Sequence, residues 1–160
     1  MVELSLLQQH KPYRHGELGS TEYDCAGLAW YVYHSIFKID IFNGGCGLST
    51  TTEIMTSDYG KLLEFSENEC DKNIDLIEKG DVLFFHRQSL TMDHPTFYNK
   101  YPGHCGIYLG ERKFIHAIAP AQMVVISDFN YNPYWYDTLV GVKDFVSDEK
   151  VLVKKNTSNY

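Results

Sequence analysis

The chain has 160 residues, of which 44% are hydrophobic and 22% are charged, and its formal net charge is −7 at pH 7. This length and composition are typical of one folded domain and exclude a disordered chain. The acidic balance argues against nucleic acid and anionic lipid as partners, because both attract basic surfaces. Residues 1–9 lack the basic start and apolar run of a signal peptide, and no stretch approaches the roughly 20 apolar residues of a membrane span.

The N-terminal half is predicted to be mainly helical. Residues 1–19 are irregular in pattern, apart from a short helix within residues 2–9. The clearest helix covers residues 25–37, where apolar residues recur at spacings of three and four: Leu28, Ala29, Val32 and Ile36. Residues 43–52 are predicted to be a loop, and a weaker amphipathic helix is predicted from about Thr52 to Phe65.

The C-terminal half is predicted to be strands. Five segments have strand character: 80–86, 104–110, 113–118, 123–129 and 139–145. A long polar and aromatic loop, residues 87–103, precedes the second strand. Helices followed by consecutive strands predict an α+β fold with a mostly antiparallel sheet. We expect one domain over residues 1–147, followed by a flexible tail at 148–160.

A cysteine stands at the start of the clearest helix. Asp24 is predicted to cap the first turn, which makes Cys25 the first helical residue, beside unpaired backbone N–H groups and the positive end of the helix dipole. This environment favours the thiolate and lowers the pKa of a cysteine from about 8.5. Ala26 and Gly27 are small and would leave room for a ligand to approach the sulfur. The alternative is a buried structural cysteine.

A nucleophilic thiol needs a base, and the base needs a group that orients it. His104 opens one predicted strand and His116 lies in the next. The two share a face of the sheet if the connecting turn has an odd number of residues, such as a three-residue turn at 110–112. One imidazole could then be the base and the other could orient it. The same alternation turns Cys105 away from His104 and predicts a core position for it.

Zinc is the rival use of these residues. Cys25, His104 and His116 could supply three ligands of a catalytic zinc site. No ligand pair has the short spacing that most zinc sites use, so we expect no metal. The four cysteines of the chain show neither CxxC spacing nor the density of a disulfide scaffold. They are predicted to be free thiols of a chain made in a reducing compartment.

Three stretches in a fixed order carry a family resemblance: "PYRHGELGSTEYDCAGLAWYVY", "KGDVLFF" and "HCGIYLGERKFIHA". The series resembles the NlpC-type cell-wall cysteine peptidases, which are papain-like enzymes. Their pattern has a Tyr, a glycine-bearing turn, Asp-Cys-Ser-Gly-Leu opening a helix, a Gly-Asp-Leu strand, His-Val-Gly-Ile-Tyr-Leu-Gly and an Ile-His-Ala strand. The match spans about residues 13–145 and favours the catalytic interpretation of Cys25.

The resemblance implies a papain-like NlpC-type domain whose N-terminal helices pack on a mostly antiparallel sheet. It implies a catalytic Cys25, a base at His104, an orienting residue at His116, and Tyr13 beside the site where an oxyanion would form. The implied substrate is a peptidoglycan stem peptide or a related small peptide, cut between D-glutamate and the next diamino acid. We expect a monomer that needs no cofactor.

The sequence departs from the family pattern at several places. Ala26 replaces the usual Ser after the cysteine, and Cys105 replaces the usual Val after the base. The loop from His86 to Gly103 is longer than the family's usual connection. Because loops carry specificity, this loop and residues 43–52 are predicted to line a substrate cleft.

Two other functions remain open at this point: an acyl or amide transferase on the same scaffold, and a non-catalytic wall-binding module. The lack of a signal peptide conflicts with a wall substrate. We therefore expect synthesis in the cytoplasm and delivery to the wall by a phage or a dedicated export route. Action on wall fragments inside the cell, or a trimmed N-terminus, would also explain the conflict.

Overall fold

A computed structural model describes most of the chain: residues 1–41, 48–65, 74–86 and 102–147. Nearly all of the predicted loop at 87–103 lies outside these ranges, as does the predicted tail at 148–160. Within the described ranges, no helix is both long enough and apolar enough to cross a membrane.

The described helices are short apart from one: α1 (Val2–Leu6), α2 (Cys25–Phe37), α3 (Leu48–Thr56) and α4 (Pro133–Thr138). The bounds of α2 are those predicted from its apolar spacing. Its buried face packs on the sheet in the main apolar cluster. A helix with such a face gains most of its stability from this packing, which fixes where its first residue lies.

The strands form one sheet: β1 (Lys61–Glu64), β2 (Val82–Phe85), β3 (His104–Gly110), β4 (Lys113–Ile118), β5 (Met123–Asp128) and β6 (Leu139–Asp144). Their order is β1-β6-β2-β3-β4-β5, and every neighbouring pair is antiparallel. The predicted α+β class with an antiparallel sheet is confirmed.

The helix predicted for Thr52–Phe65 is wrong in both bounds. Helix α3 begins at Leu48, within the predicted loop at 43–52, and ends at Thr56, after which Gly60 adopts a positive φ of 80° and the chain enters β1. The buried Lys143 side chain fixes this helix end, because its Nζ donates hydrogen bonds to three carbonyls at 2.7–3.0 Å: those of Ile54, Met55 and Ser57. A cation at the last carbonyls of a helix is favourable, and it ties α3 to β6.

The β3–β4 hairpin differs from the predicted three-residue turn. Gly110 pairs with Lys113, so the turn has two residues, Glu111 and Arg112, both in the left-handed region at φ 53° and 62°. The register then shifts by one residue between Tyr108 and Gly110, which is a bulge. Two turn residues plus one bulged residue make the odd number that places the two strand histidines on the same face.

Candidate active site

The site begins at the capped end of α2. The Asp24 carboxylate accepts a hydrogen bond from the Gly27 N–H at 2.7 Å and a second from the Gly16 N–H at 3.1 Å. The predicted N-cap is therefore confirmed, and the same carboxylate also ties down the preceding loop. Burial, and next the neighbouring Cys25 charge, raise the pKa of Asp24. Cys25 is the first helical residue, and the residue as a whole is partly exposed.

The space beside Gly27 is filled by the chain itself. A Cβ at Gly27 would lie 2.1 Å from the backbone oxygen of Glu17, and Ala26 is buried. The Asp24 N–H donates to the same Glu17 oxygen at 3.0 Å. The prediction that these small residues leave room for a ligand is wrong, because Ala26 lies in the core and Gly27 lies against the backbone of Glu17 and Leu18.

Gly27→Ala is expected to destabilise the protein, although Ala is ordinarily the better helix former by about 1 kcal/mol. The new methyl group collides with a backbone carbonyl, which cannot move without disturbing the Asp24 cap. We expect a loss of about 1–3 kcal/mol in the free energy of unfolding, as for overpacked cores. Urea denaturation tests this expectation, with Ala26→Gly as the matched control. A Gly27→Ala protein as stable as wild type would contradict the packing described here.

The two strand histidines lie in direct contact. His104 Nε2 is 2.7 Å from His116 Nδ1, and the rings meet edge to face with centroids 5.0 Å apart. His116 is fully buried. Gly106 of β3 makes this possible, because a Cβ there would lie 3.2 Å from His116 Cβ and 2.8 Å from the Phe114 ring. The structure thus brings together the histidine pair that the hairpin pattern predicted.

A third polar group continues this chain of contacts. His116 Nε2 lies 2.8 Å from the hydroxyl oxygen of Ser127 on β5. The register pairs Val125 with His116, so Ser127 is its diagonal neighbour on the same face. Sequence reasoning missed Ser127. The available signal was one small hydroxyl in the apolar strand "MVVISDF", beside a strand that carries a candidate catalytic histidine.

Aromatic rings enclose the histidine pair. Trp135 of α4 stands with its ring centroid 4.8 Å from that of His116 and 5.6 Å from that of His104. The Phe114 ring centroid lies 4.8 Å from that of His116, and the Phe85 ring centroid lies 6.0 Å from that of His104. Sequence reasoning missed α4 and so missed Trp135. These rings surround the buried His116 with apolar surface, where a hydrogen bond is stronger than in water.

The Cys25 sulfur is bound by polar groups from other elements. Hydrogen bonds from the Cys105 thiol and, more weakly, from His104 hold the pKa of Cys25 well below its ordinary value, against burial, which opposes them. The Thr51 hydroxyl of α3 lies 3.9 Å from the same sulfur and is fully buried. Cys105 is a core residue, as predicted, but it also contacts the candidate nucleophile. The Cys25 contact and burial raise the pKa of Cys105, which therefore remains a thiol that can donate.

Cys105→Val is expected to raise the pKa of Cys25, because valine fills the space of the thiol but donates no hydrogen bond. We expect the pH at which Cys25 reaches half its maximal alkylation rate to move upward. Cys105→Ser is the matched control, because it keeps a donor at this position and so keeps the pH profile closer to that of wild type. Equal profiles for Cys105→Val and wild type would show that the thiol does not stabilise the thiolate.

The pattern of contacts suits a base, His104, that is oriented by a neutral imidazole, His116. Burial, and then the His104 charge, lower the pKa of His116 well below its ordinary value, so His116 is neutral near pH 7. The two imidazoles use His104 Nε2 and His116 Nδ1 to bond each other, so a zinc ion on either of these atoms would replace that hydrogen bond. Within the described ranges, no group of three His, Cys, Asp or Glu residues could hold a metal ion.

Tyr13 lies on the strand-like segment that precedes α2. It forms a parallel bridge with Tyr23, two residues before Cys25, and its N–H donates to the Gln122 oxygen at 3.0 Å. Its side chain is half-buried against the main cluster. The bridge brings its backbone beside the start of α2, and its role near an oxyanion stays a prediction.

Several known proteins are similar to this chain in sequence. Over 154 residues the chain is 27% identical to "Probable endopeptidase YafL" of Escherichia coli (strain K12). The aligned region covers 94% of this chain and 52% of that protein. Over 141 residues it is 30% identical to "Murein DD-endopeptidase MepH" of the same strain, which covers 86% and 42%. The chain thus spans about half or less of the length of these relatives.

The fold also has solved counterparts. The crystal structure of the NlpC/p60 domain of peptidoglycan hydrolase SagA superposes with a TM-score of 0.61 at 20% identity, covering 88% of this chain and 93% of that one. At this level of identity, the structural likeness shows a shared papain-like fold and no more. The sequence model of the NlpC/P60 family matches residues 10–144, a range that contains Cys25, His104 and His116. Because this match covers most of the chain and the fold agrees with it, the chain belongs to the NlpC/P60 family.

Proposed function

We propose that this chain is a cysteine endopeptidase that hydrolyses an amide bond in peptidoglycan stem peptides. The observation that carries the proposal is the 2.7 Å contact between His104 and His116, together with a thiol at the start of α2 whose pKa is lowered by Cys105 and by His104. Membership of the NlpC/P60 family and the names of the relatives, which are endopeptidases, support the substrate class.

In the first step the Cys25 thiolate attacks the carbonyl carbon of the scissile amide. The carbonyl oxygen becomes an oxyanion beside the start of α2. The backbone N–H of Cys25 is one of the first-turn donors that a helix leaves unused, so it can bind this oxyanion. Tyr13, near the same helix end, would add a hydroxyl donor there.

In the second step the His104 imidazolium gives its proton to the leaving amine, and the acyl group stays on Cys25. Neutral His104 then takes a proton from water, which attacks the acyl-enzyme and releases the free acid. His116 accepts the His104 Nε2–H in both steps and so holds the ring in place. In this mechanism Cys25 is the nucleophile, His104 moves the protons and His116 orients His104, so none of the three binds a metal ion.

The finer proposal is the bond between D-glutamate and the following diamino acid. The rival is a DD-endopeptidase specificity, which is the activity that the name of the murein relative MepH states. We would incubate the protein with a synthetic stem tripeptide of L-alanine, D-glutamate and a diamino acid, and separately with cross-linked wall fragments. Mass spectrometry would identify the products.

Release of the L-alanyl-D-glutamate dipeptide supports both the enzyme class and the bond. If only the cross-linked fragments are cleaved, the chain is still an endopeptidase, but the bond after D-glutamate is not the one that it cuts. Cys25→Ala is the control and should give no product in either digest. If folded wild-type protein cleaves neither substrate, the proposal fails.

A further inference from the structure

The hydrogen bond between His116 and Ser127 has a consequence for where protons sit in the site. His104 has two ring nitrogens, and its Nε2 is engaged by His116 Nδ1 at 2.7 Å. The Nδ1 atom of His104 is therefore the one available to the Cys25 sulfur. To act as a base toward Cys25, His104 must keep Nδ1 free to accept a proton, so its own proton resides on Nε2.

The position of the His104 proton also determines which nitrogen of His116 must be protonated. If His104 Nε2 carries a proton in both its neutral and its charged form, His116 Nδ1 must be an acceptor in both. A neutral imidazole with an acceptor at Nδ1 carries its proton on Nε2. The other tautomer of His116 would place its Nδ1–H against His104 Nε2. Neutral His104 would then hold its proton on Nδ1 and could not take one from Cys25.

The required His116 tautomer needs a buried acceptor for its Nε2–H. His116 is fully buried, and an N–H left without a partner in such a place is costly. The Ser127 hydroxyl oxygen lies 2.8 Å from Nε2 and can accept this hydrogen bond. Trp135 and Phe114 cover other sides of the ring with apolar surface, so they cannot replace this acceptor.

We propose that Ser127 is a positioning residue of this site, which holds His116 in the Nε2–H tautomer and so leaves His104 Nδ1 free to serve Cys25. Ser127 acts through two imidazoles and touches neither the sulfur nor the substrate in this arrangement. The inference extends the proposed Cys-His-His mechanism by one residue, and it rests on that mechanism for its effect on turnover.

The test compares Ser127→Thr with Ser127→Val. The two substituted side chains have the same branched shape and suit a strand. Only threonine keeps an oxygen that can accept the His116 N–H. We expect Ser127→Thr to retain kcat for the stem tripeptide, and Ser127→Val to lose about tenfold to hundredfold in kcat with KM little changed.

Nitrogen-15 NMR of histidine-labelled protein reads the tautomer directly, without any substrate. In wild type and Ser127→Thr, we expect His116 to show an unprotonated Nδ1 and a protonated Nε2. In Ser127→Val, we expect a mixture of tautomers or the Nδ1–H form. Wild-type His116 in the Nδ1–H form would overturn the inference, and so would the same His116 tautomer in the Val and Thr variants.

The two readouts separate this inference from the proposed function. If wild type cleaves the tripeptide and the Val and Thr variants have equal kcat, the role of Ser127 fails and the endopeptidase stands. If no substrate is cleaved but the tautomer depends on the Ser127 hydroxyl, the positioning role stands and the substrate assignment fails. Because the wild-type tautomer is measured without a variant, the inference stays testable even if Ser127→Val does not fold.

Discussion

His104→Ala should reduce kcat/KM for stem-peptide hydrolysis by about 10⁴–10⁶-fold, the range seen when a member of a catalytic triad is removed. Two losses combine in this variant. The ring that carries protons between Cys25 and the leaving amine is gone, and so is the imidazole that favours the Cys25 thiolate. Single-turnover acylation of Cys25 by the stem tripeptide, followed by mass spectrometry of the acyl-enzyme, would separate the attack from the hydrolysis step.

His34→Ala is the matched control for the His104 variant. His34 lies in the last turn of α2, where it bonds the exposed Asp40 carboxylate at 3.0 Å, and it belongs to no contact of the site. We expect its kcat/KM to stay within about twofold of wild type, because exposed polar contacts contribute little. A folded His104→Ala protein with less than tenfold loss would show that another group is the base.

His116→Leu and His116→Asn are expected to differ greatly in activity. Leucine leaves the partly buried His104 Nε2–H without its acceptor, and we expect kcat/KM to fall about 10²–10⁴-fold. Asparagine carries its amide oxygen as many bonds from Cβ as the His116 Nδ1 that it replaces. It can accept the same hydrogen bond, so we expect activity within about tenfold of wild type.

The comparison tests whether His116 acts as an acceptor or as a second base. An asparagine amide does not titrate, so retained activity in His116→Asn assigns the residue to orientation. If the Asn and Leu variants are equally inactive and both fold, the imidazole itself takes part in proton transfer. The pH dependence of kcat/KM should then lose a titration in both variants.

The parts of this molecule that follow local rules were predictable from the sequence. The bounds of α2 follow from an apolar period and a capping aspartate, and these place Cys25 at the helix start. Periodicity failed at residues 48–65, because the apolar spacing there fits a helix or a strand. The turn ending at Gly60 and the buried Lys143 decide that α3 stops at Thr56.

The contacts around His104 and His116 depend on features of the fold that local sequence patterns do not predict. Whether His104 and His116 share a face depends on one bulged residue in β3, and no residue type in "HCGIYLG" marks it. Ser127 and Trp135 reach the same ring from elements that are distant in sequence. The contact of Cys105 with Cys25 was missed because strand alternation assigns each residue one face, whereas a sulfur at a strand's beginning can also meet the helix end.

The most direct measurement is the rate of iodoacetamide alkylation of Cys25 as a function of pH, read by peptide mass spectrometry in wild type and His104→Ala. A short cysteine peptide, with a pKa of about 8.5, is the reference thiol. The thiolate–imidazole account predicts that Cys25 in wild type reaches half its maximal rate at a pH well below that of the peptide, and that His104→Ala moves the profile upward. A wild-type Cys25 that titrates with the reference peptide would contradict the account, because the thiol at the start of α2 would then be ordinary.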